Sequence, residues 1–229
     1  MKVVFYCSLI CVCCLGLQAQ QPKTAVWLGG QLQLKFSNKL AWHNDAGFRT
    51  LGTDFLLHQY LYRTGVRHFV NENISVAVGG AIFFTRSSFD KNNHDFGSEF
   101  RLWQEVMHQT NINKLAWQNR VTVEQRFFDD TKYMQGFTAQ RFRIKTIFTN
   151  PVSKKWAVQL SDEYLRQYAR HIFAFDQNRV MLYGLYSSNA STVWKGGYML
   201  LILPAKQTRH VFNINFQKTL QLRHNENKI

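Results

Sequence analysis

Three segments between Glu99 and Phe148 carry charged side chains at recurring second positions. They read Glu99-Phe-Arg101-Leu-Trp103-Gln-Glu105, then Arg120-Val-Thr-Val-Glu124-Gln-Arg126-Phe, then Arg141-Phe-Arg143-Ile-Lys145-Thr-Ile147-Phe148. Residues two apart in a β-strand share a face, whereas in a helix they diverge. Each segment is therefore a strand with charges on one side and mostly apolar residues on the other. The fold follows from which face meets water.

The same period runs through the rest of the chain. Alternating segments are read at Val26–Phe36, Leu40–Thr50, Phe55–Phe69, Ile74–Thr85, Ser98–Gln109, Leu115–Phe128, Phe137–Phe148, Trp156–Gln167, Gln177–Tyr186, Thr192–Leu203 and His210–Leu222. No apolar stripe of helical period competes with them, and no linker of biased composition divides them. Short turns such as Ser37-Asn38-Lys39 and Asn71-Glu72-Asn73 roughly alternate with longer polar connections, as at 87–97, 129–136 and 168–176. The three prolines, Pro22, Pro151 and Pro204, fall at segment edges, where a missing N–H is tolerated in a sheet.

The first residues have a different character. Met1-Lys2, an apolar run Val3–Leu17 and then Gln18-Ala19-Gln20 describe a signal peptide, with cleavage expected after Ala19 and a mature domain of residues 20–229. The run is shorter than the roughly 20 residues a spanning helix needs. All four cysteines lie within it, and none follows a residue suited to lipid attachment, so the mature chain carries no disulfide or thiol chemistry. An exported chain without disulfides points to a bacterial envelope. The formal charge of +14 invites a nucleic-acid partner, but the basic residues are spread along alternating strands and form no run or patch. Outer-membrane lipid, including lipopolysaccharide phosphates, is the expected partner.

These features predict an all-β protein, an antiparallel transmembrane β-barrel of about 10–12 strands in the outer membrane. Most segments reach the ~9–11 residues such strands need, and six tryptophans with many Tyr and Phe suit interfacial girdles. A soluble periplasmic sandwich or lipocalin-like barrel is the alternative, with the apolar face as its core. Eleven segments conflict with the even count usual in single-chain bacterial barrels, so either Val26–Phe36 is not a full strand or one segment is missed or merged. On the barrel reading Glu99, Arg101, Glu105, Arg120, Glu124, Arg126, Arg141, Arg143, Lys145, Glu163 and Arg179 point inward, because a charge facing mid-bilayer lipid costs ~2–4 kcal/mol.

The chain also resembles a family of Bacteroidota envelope proteins known only as domain of unknown function 2490. The resemblance rests on Trp27, Glu99-x-Arg101-x-Trp103-Gln104, Arg120-x-x-x-Glu124-Gln125-Arg126-Phe127, Arg141-x-Arg143, Asp162-Glu163 and Gln177-Asn178-Arg179 before a Gly-Leu-Tyr strand. It spans essentially the whole mature chain. It implies an outer-membrane β-barrel and carries no catalytic residues. The polar tail after Leu222 departs from the aromatic ending of many barrels.

Three functions fit such a wall. The charges could form an internal salt-bridge plug in a structural or interaction barrel, or line a small anion-preferring pore. A lipid-modifying enzyme would need a Ser–His pair on the outer wall, and His58, His108 and His210 have no serine at a spacing that singles out a partner. The other histidines lack metal-ligand spacing, and no glycine motif cradles phosphate, so no enzyme activity, metal or cofactor is expected.

Overall fold

An alternating strand has one row of backbone N–H and C=O groups on each edge, and a sheet satisfies all of them only by closing on itself. The computed structural model describes residues 23–52, 54–87, 94–132 and 135–222, and shows such a closed sheet. The expected leader and its cleavage point lie outside the described residues. Eleven strands follow in order: β1 Thr24–Lys35, β2 Leu40–Leu51, β3 Leu56–Phe69, β4 Ile74–Arg86, β5 Phe96–Ile112, β6 Leu115–Phe128, β7 Phe137–Pro151, β8 Trp156–Ala169, β9 Ile172–Asn189, β10 Thr192–Ile202 and β11 Thr208–Gln221. Each pairs with its chain neighbours in an antiparallel meander.

Eleven strands fall within the expected 10–12; among the described residues no segment is missed or merged, and the chain solves the parity problem at the seam. Successive meander strands alternate in direction, so the first and last of eleven run the same way. β1 and β11 accordingly pair in parallel, from Thr24 opposite His210 to Lys35 opposite Gln221. The first segment is a full strand, and the barrel begins and finishes at opposite ends. One end holds the short turns after the odd-numbered strands and the end of β11. The other, called the loop end below, holds the connections after the even-numbered strands and the start of β1.

One expected loop is absent. Where a polar connection was read at 168–176, β8 and β9 run on and meet at Arg170-His171, both with positive φ (49° and 64°). That is the backbone a two-residue type I′ hairpin demands, normally supplied by Asn-Gly. Arg-His gives no such signal.

The two faces are sharply divided. Glu99, Glu105, Glu124 and Glu163 are 4%, 3%, 3% and 2% exposed, whereas Val78, Ile144 and Phe212 are 59%, 57% and 55% exposed. The apolar face is therefore outside and the charged face encloses the lumen, the reverse of a soluble barrel with an apolar core. Trp42, Trp117, Trp156 and Trp194 stand on the outer face near the turn end of β2, β6, β8 and β10, the last three against Phe148, Tyr186 and Phe216. Toward the loop end Tyr60 stacks on Phe84, and Tyr164 lies against Phe175. Trp27 and Trp103 were expected in the girdles with the other four. They point inward instead.

Candidate functional site

The lumen wall grows from strand parity. On β5, β6 and β7 the odd or even set that turns inward contains Glu99, Arg101, Trp103 and Glu105, then Arg120, Thr122, Glu124 and Arg126, then Arg141, Arg143 and Lys145. Register places Arg101 beside Arg126, Glu124 beside Arg141, and Lys145 beside Glu163. Like charges placed directly opposite repel, so the long side chains reach diagonally for their partners.

The outcome is one continuous chain of ion pairs across five strands. Both oxygens of Glu99 accept from Arg101, at 2.6 and 2.9 Å, and both accept from Arg126. Arg101 also donates to Glu124 at 3.2 Å, and Glu124 accepts from Arg143 on its other oxygen. Arg143 continues to Glu163 at 3.0 Å through Nε, and Glu163 accepts from Arg179 at 3.2 Å. Arg141 joins from the side, 3.9 Å from Glu124 and 3.0 Å from Asp176. Such forked charge-assisted bonds lock each carboxylate in orientation as well as in charge.

A second tier lies nearer the turn end and centres on Glu105. Arg67 donates to it at 2.6 Å, Arg63 and Arg120 each stand 3.6 Å away, and Thr122 donates at 3.3 Å. Arg67 also donates to Ser75 at 2.8 Å. Between the tiers lies Trp103, with Arg63 over its ring at 3.9 Å and its indole N–H donating to the Gly80 carbonyl. The benzo edge of the indole lies against Gly65 and Gly79. A methyl group at Gly79 would stand 2.6 Å from Trp103 Cζ2, and one at Gly65 2.7 Å from Cη2, so both positions require glycine.

The structure thus brings ten of the eleven sequence-predicted charges into these two ion-pair groups. Lys145 stands apart: its Nζ meets Met181 Sδ at 3.8 Å and forms none of the ion pairs. The sequence reading missed Arg63, Arg67, Asp45 and Asp176. Arg63 and Arg67 share a parity with Gly65 on β3, a signal that was present. Asp176 was not legible, because it sits where the register between β8 and β9 shifts at Leu165/Arg166.

The ion pairs do not fill the barrel. A cavity of about 350 Å³ reaches from them to β1, β2 and β11, lined there by Trp27, Gly29, Arg49, Asn213 and Asn215. A separate cavity of about 440 Å³ opens at the turn end among Asn73, Gln109, Gln118 and Gln159. The two share no lining residue. Among the described residues no group of three or more His, Cys, Asp or Glu is placed to hold a metal ion.

No curated protein matches the chain. A family model described as "protein of unknown function (DUF2490)" matches residues 24–211, from the first residue of β1 into β11 and including both ion-pair tiers. With that match over most of its length, the chain belongs to the DUF2490 family of proteins of unknown function.

Proposed function

We propose that this protein is an outer-membrane β-barrel of a Gram-negative, Bacteroidota-type envelope, acting as a structural or interaction barrel whose lumen is closed by its own Arg/Glu network. The observation that carries this reading is the inversion of the wall, with carboxylates and guanidiniums enclosed and valine, isoleucine and phenylalanine exposed on all sides. A contiguous apolar surface of that extent needs an apolar solvent. The tryptophans gathered near the turn end, and the Tyr and Phe pairs toward the loop end, suit the two membrane interfaces. Arg170 and Lys206, in connections at the loop end, would meet lipopolysaccharide phosphates there.

The reading includes a leader removed near Ala19 and gives the barrel no catalytic role. A small anion-preferring pore is the second reading, favoured by the surplus of arginine over carboxylate in the lumen. The separate linings of the two cavities, with the ion-pair tiers between the walls, weigh against it. Expression of the full chain in a Gram-negative host tests the location. The expected result is recovery in the outer-membrane fraction with heat-modifiable gel migration; recovery as a soluble periplasmic protein would overturn it. In planar bilayers the purified barrel is expected to give no conductance, and stable anion-selective steps would transfer the argument to the pore.

A further inference from the structure

The cavity beside the ion-pair chain has a wall unlike anything the barrel needs for closure. Eight arginines line it against two carboxylates, Asp45 and Glu124. Glu124 is already shared by Arg101, Arg141 and Arg143. Arg49 has no carboxylate partner among the described residues: it donates to Gln59 Oε1 at 2.7 Å and lies over the Trp27 ring at 4.0 Å. Trp27 also has Arg179 at 5.6 Å, so one indole holds two guanidiniums at the cavity wall. Packing holds these cations in place, with more N–H donors than the enclosed carboxylates can accept.

Beside Trp27, β11 brings amides to the same wall as Arg49. Asn213 and Asn215 of β11 stand beside Gly29 of β1, whose missing side chain leaves room for the Asn215 amide. Amides offer both donors and acceptors, which suits hydroxyl groups, while guanidiniums suit phosphate or carboxylate oxygens. A volume of about 350 Å³ lies in the range of small-molecule sites. The lining includes Leu51, Leu203 and Arg209, so the cavity reaches the loop end, while the Glu105 tier lies beneath it toward the turn end.

From these features we propose that the loop-end half of the lumen is a dead-end binding site for a small hydroxylated anion, of the sugar-phosphate or sugar-acid class. Arg49 and Arg179 hold the anionic group, and Asn213 and Asn215 meet the hydroxyls. The site needs the closed lumen and does not depend on where the barrel resides. A folded barrel that binds nothing would sink this inference and leave the membrane reading intact, and a soluble barrel that binds would do the reverse.

Titration calorimetry on the full mature chain in detergent, with glucose 6-phosphate as probe in a phosphate-free buffer, tests it. Saturable one-to-one binding is expected, stronger than for glucose or inorganic phosphate. Arg49→Gln breaks no ion pair, so the barrel should fold and binding should weaken by about tenfold or more. Asn215→Leu removes the β11 amide from the cavity and should weaken binding independently. No binding by heat-modifiable wild-type protein would overturn the proposal, as would unchanged affinity in both variants. Equal affinity for inorganic phosphate would remove the hydroxyl-binding role of the amides.

Discussion

Two arcs of the same wall face one another across the lumen, and they are built on opposite rules. On β5 to β7 long charged side chains crowd the inward positions, β8 adds Glu163, and each glutamate is held by at least two arginines. On β1, β2, β10 and β11 the inward positions include small or neutral residues such as Ala25, Gly29, Ala41, Met199, Val211 and Asn213, with only scattered charges such as Asp45 and Arg49. The first arc fills the barrel and the second leaves the cavity. The contrast teaches that the charges are not simply what an inward face must carry. A lumen wall can be neutral, so the crowded arc is a separate construction, with stability resting on completeness: a buried carboxylate among several guanidiniums is favourable only while all of them are present.

The largest effect should come from breaking the crowded arc at its centre. Glu124→Gln leaves Arg101, Arg141 and Arg143 without their shared charge and should cost about 3–5 kcal/mol in reversible urea unfolding followed by tryptophan fluorescence. A loss as small as that of an open-arc variant would erase the distinction. Gly79→Ala tests packing in the same arc. Its methyl group would press on Trp103 and on the Gly65 backbone, and a loss of about 1–3 kcal/mol is expected, with altered tryptophan emission.

Across the lumen, Arg49→Gln removes a cation that has no carboxylate partner among the described residues. Only the contact with Trp27 and part of the bond to Gln59 are lost, so the same unfolding experiment should show at most about 1 kcal/mol. Gly30→Ala, on the outer face of β1, should give the smallest change. A methyl group there meets nothing within 4 Å, and stiffening the unfolded chain should raise stability by about 0.5 kcal/mol. A clear loss at Gly30 would mean that a neighbour packs against the outer face of β1 at this position.

Sequence and structure divide along the same line as parity and register. A period of two tells which residues share a face, so the inward set on β5 to β7 was legible from Glu99 to Lys145, as was a closed all-β wall. It does not tell which residue lies opposite which. Lys145 faces Glu163 in register yet forms no ion pair, because Arg143 and Arg179 reach that carboxylate first. Asp176 enters the network only through a register shift. The Arg170-His171 turn hid because its backbone is the one usually written with Asn-Gly.

The amino-acid sequence by itself determined that this chain makes strands with one charged and one apolar face, since side-chain direction in a strand is a local property of the backbone. Tertiary structure alone decided the rest. The parallel seam joins strands separated by most of the chain, from Thr24 to His210. The inward turn of Trp27 and Trp103 and the cavity beside them depend on what stands across the lumen. These are long-range facts. They follow from how many strands close the barrel and how their side chains share one enclosed space, which no local pattern records.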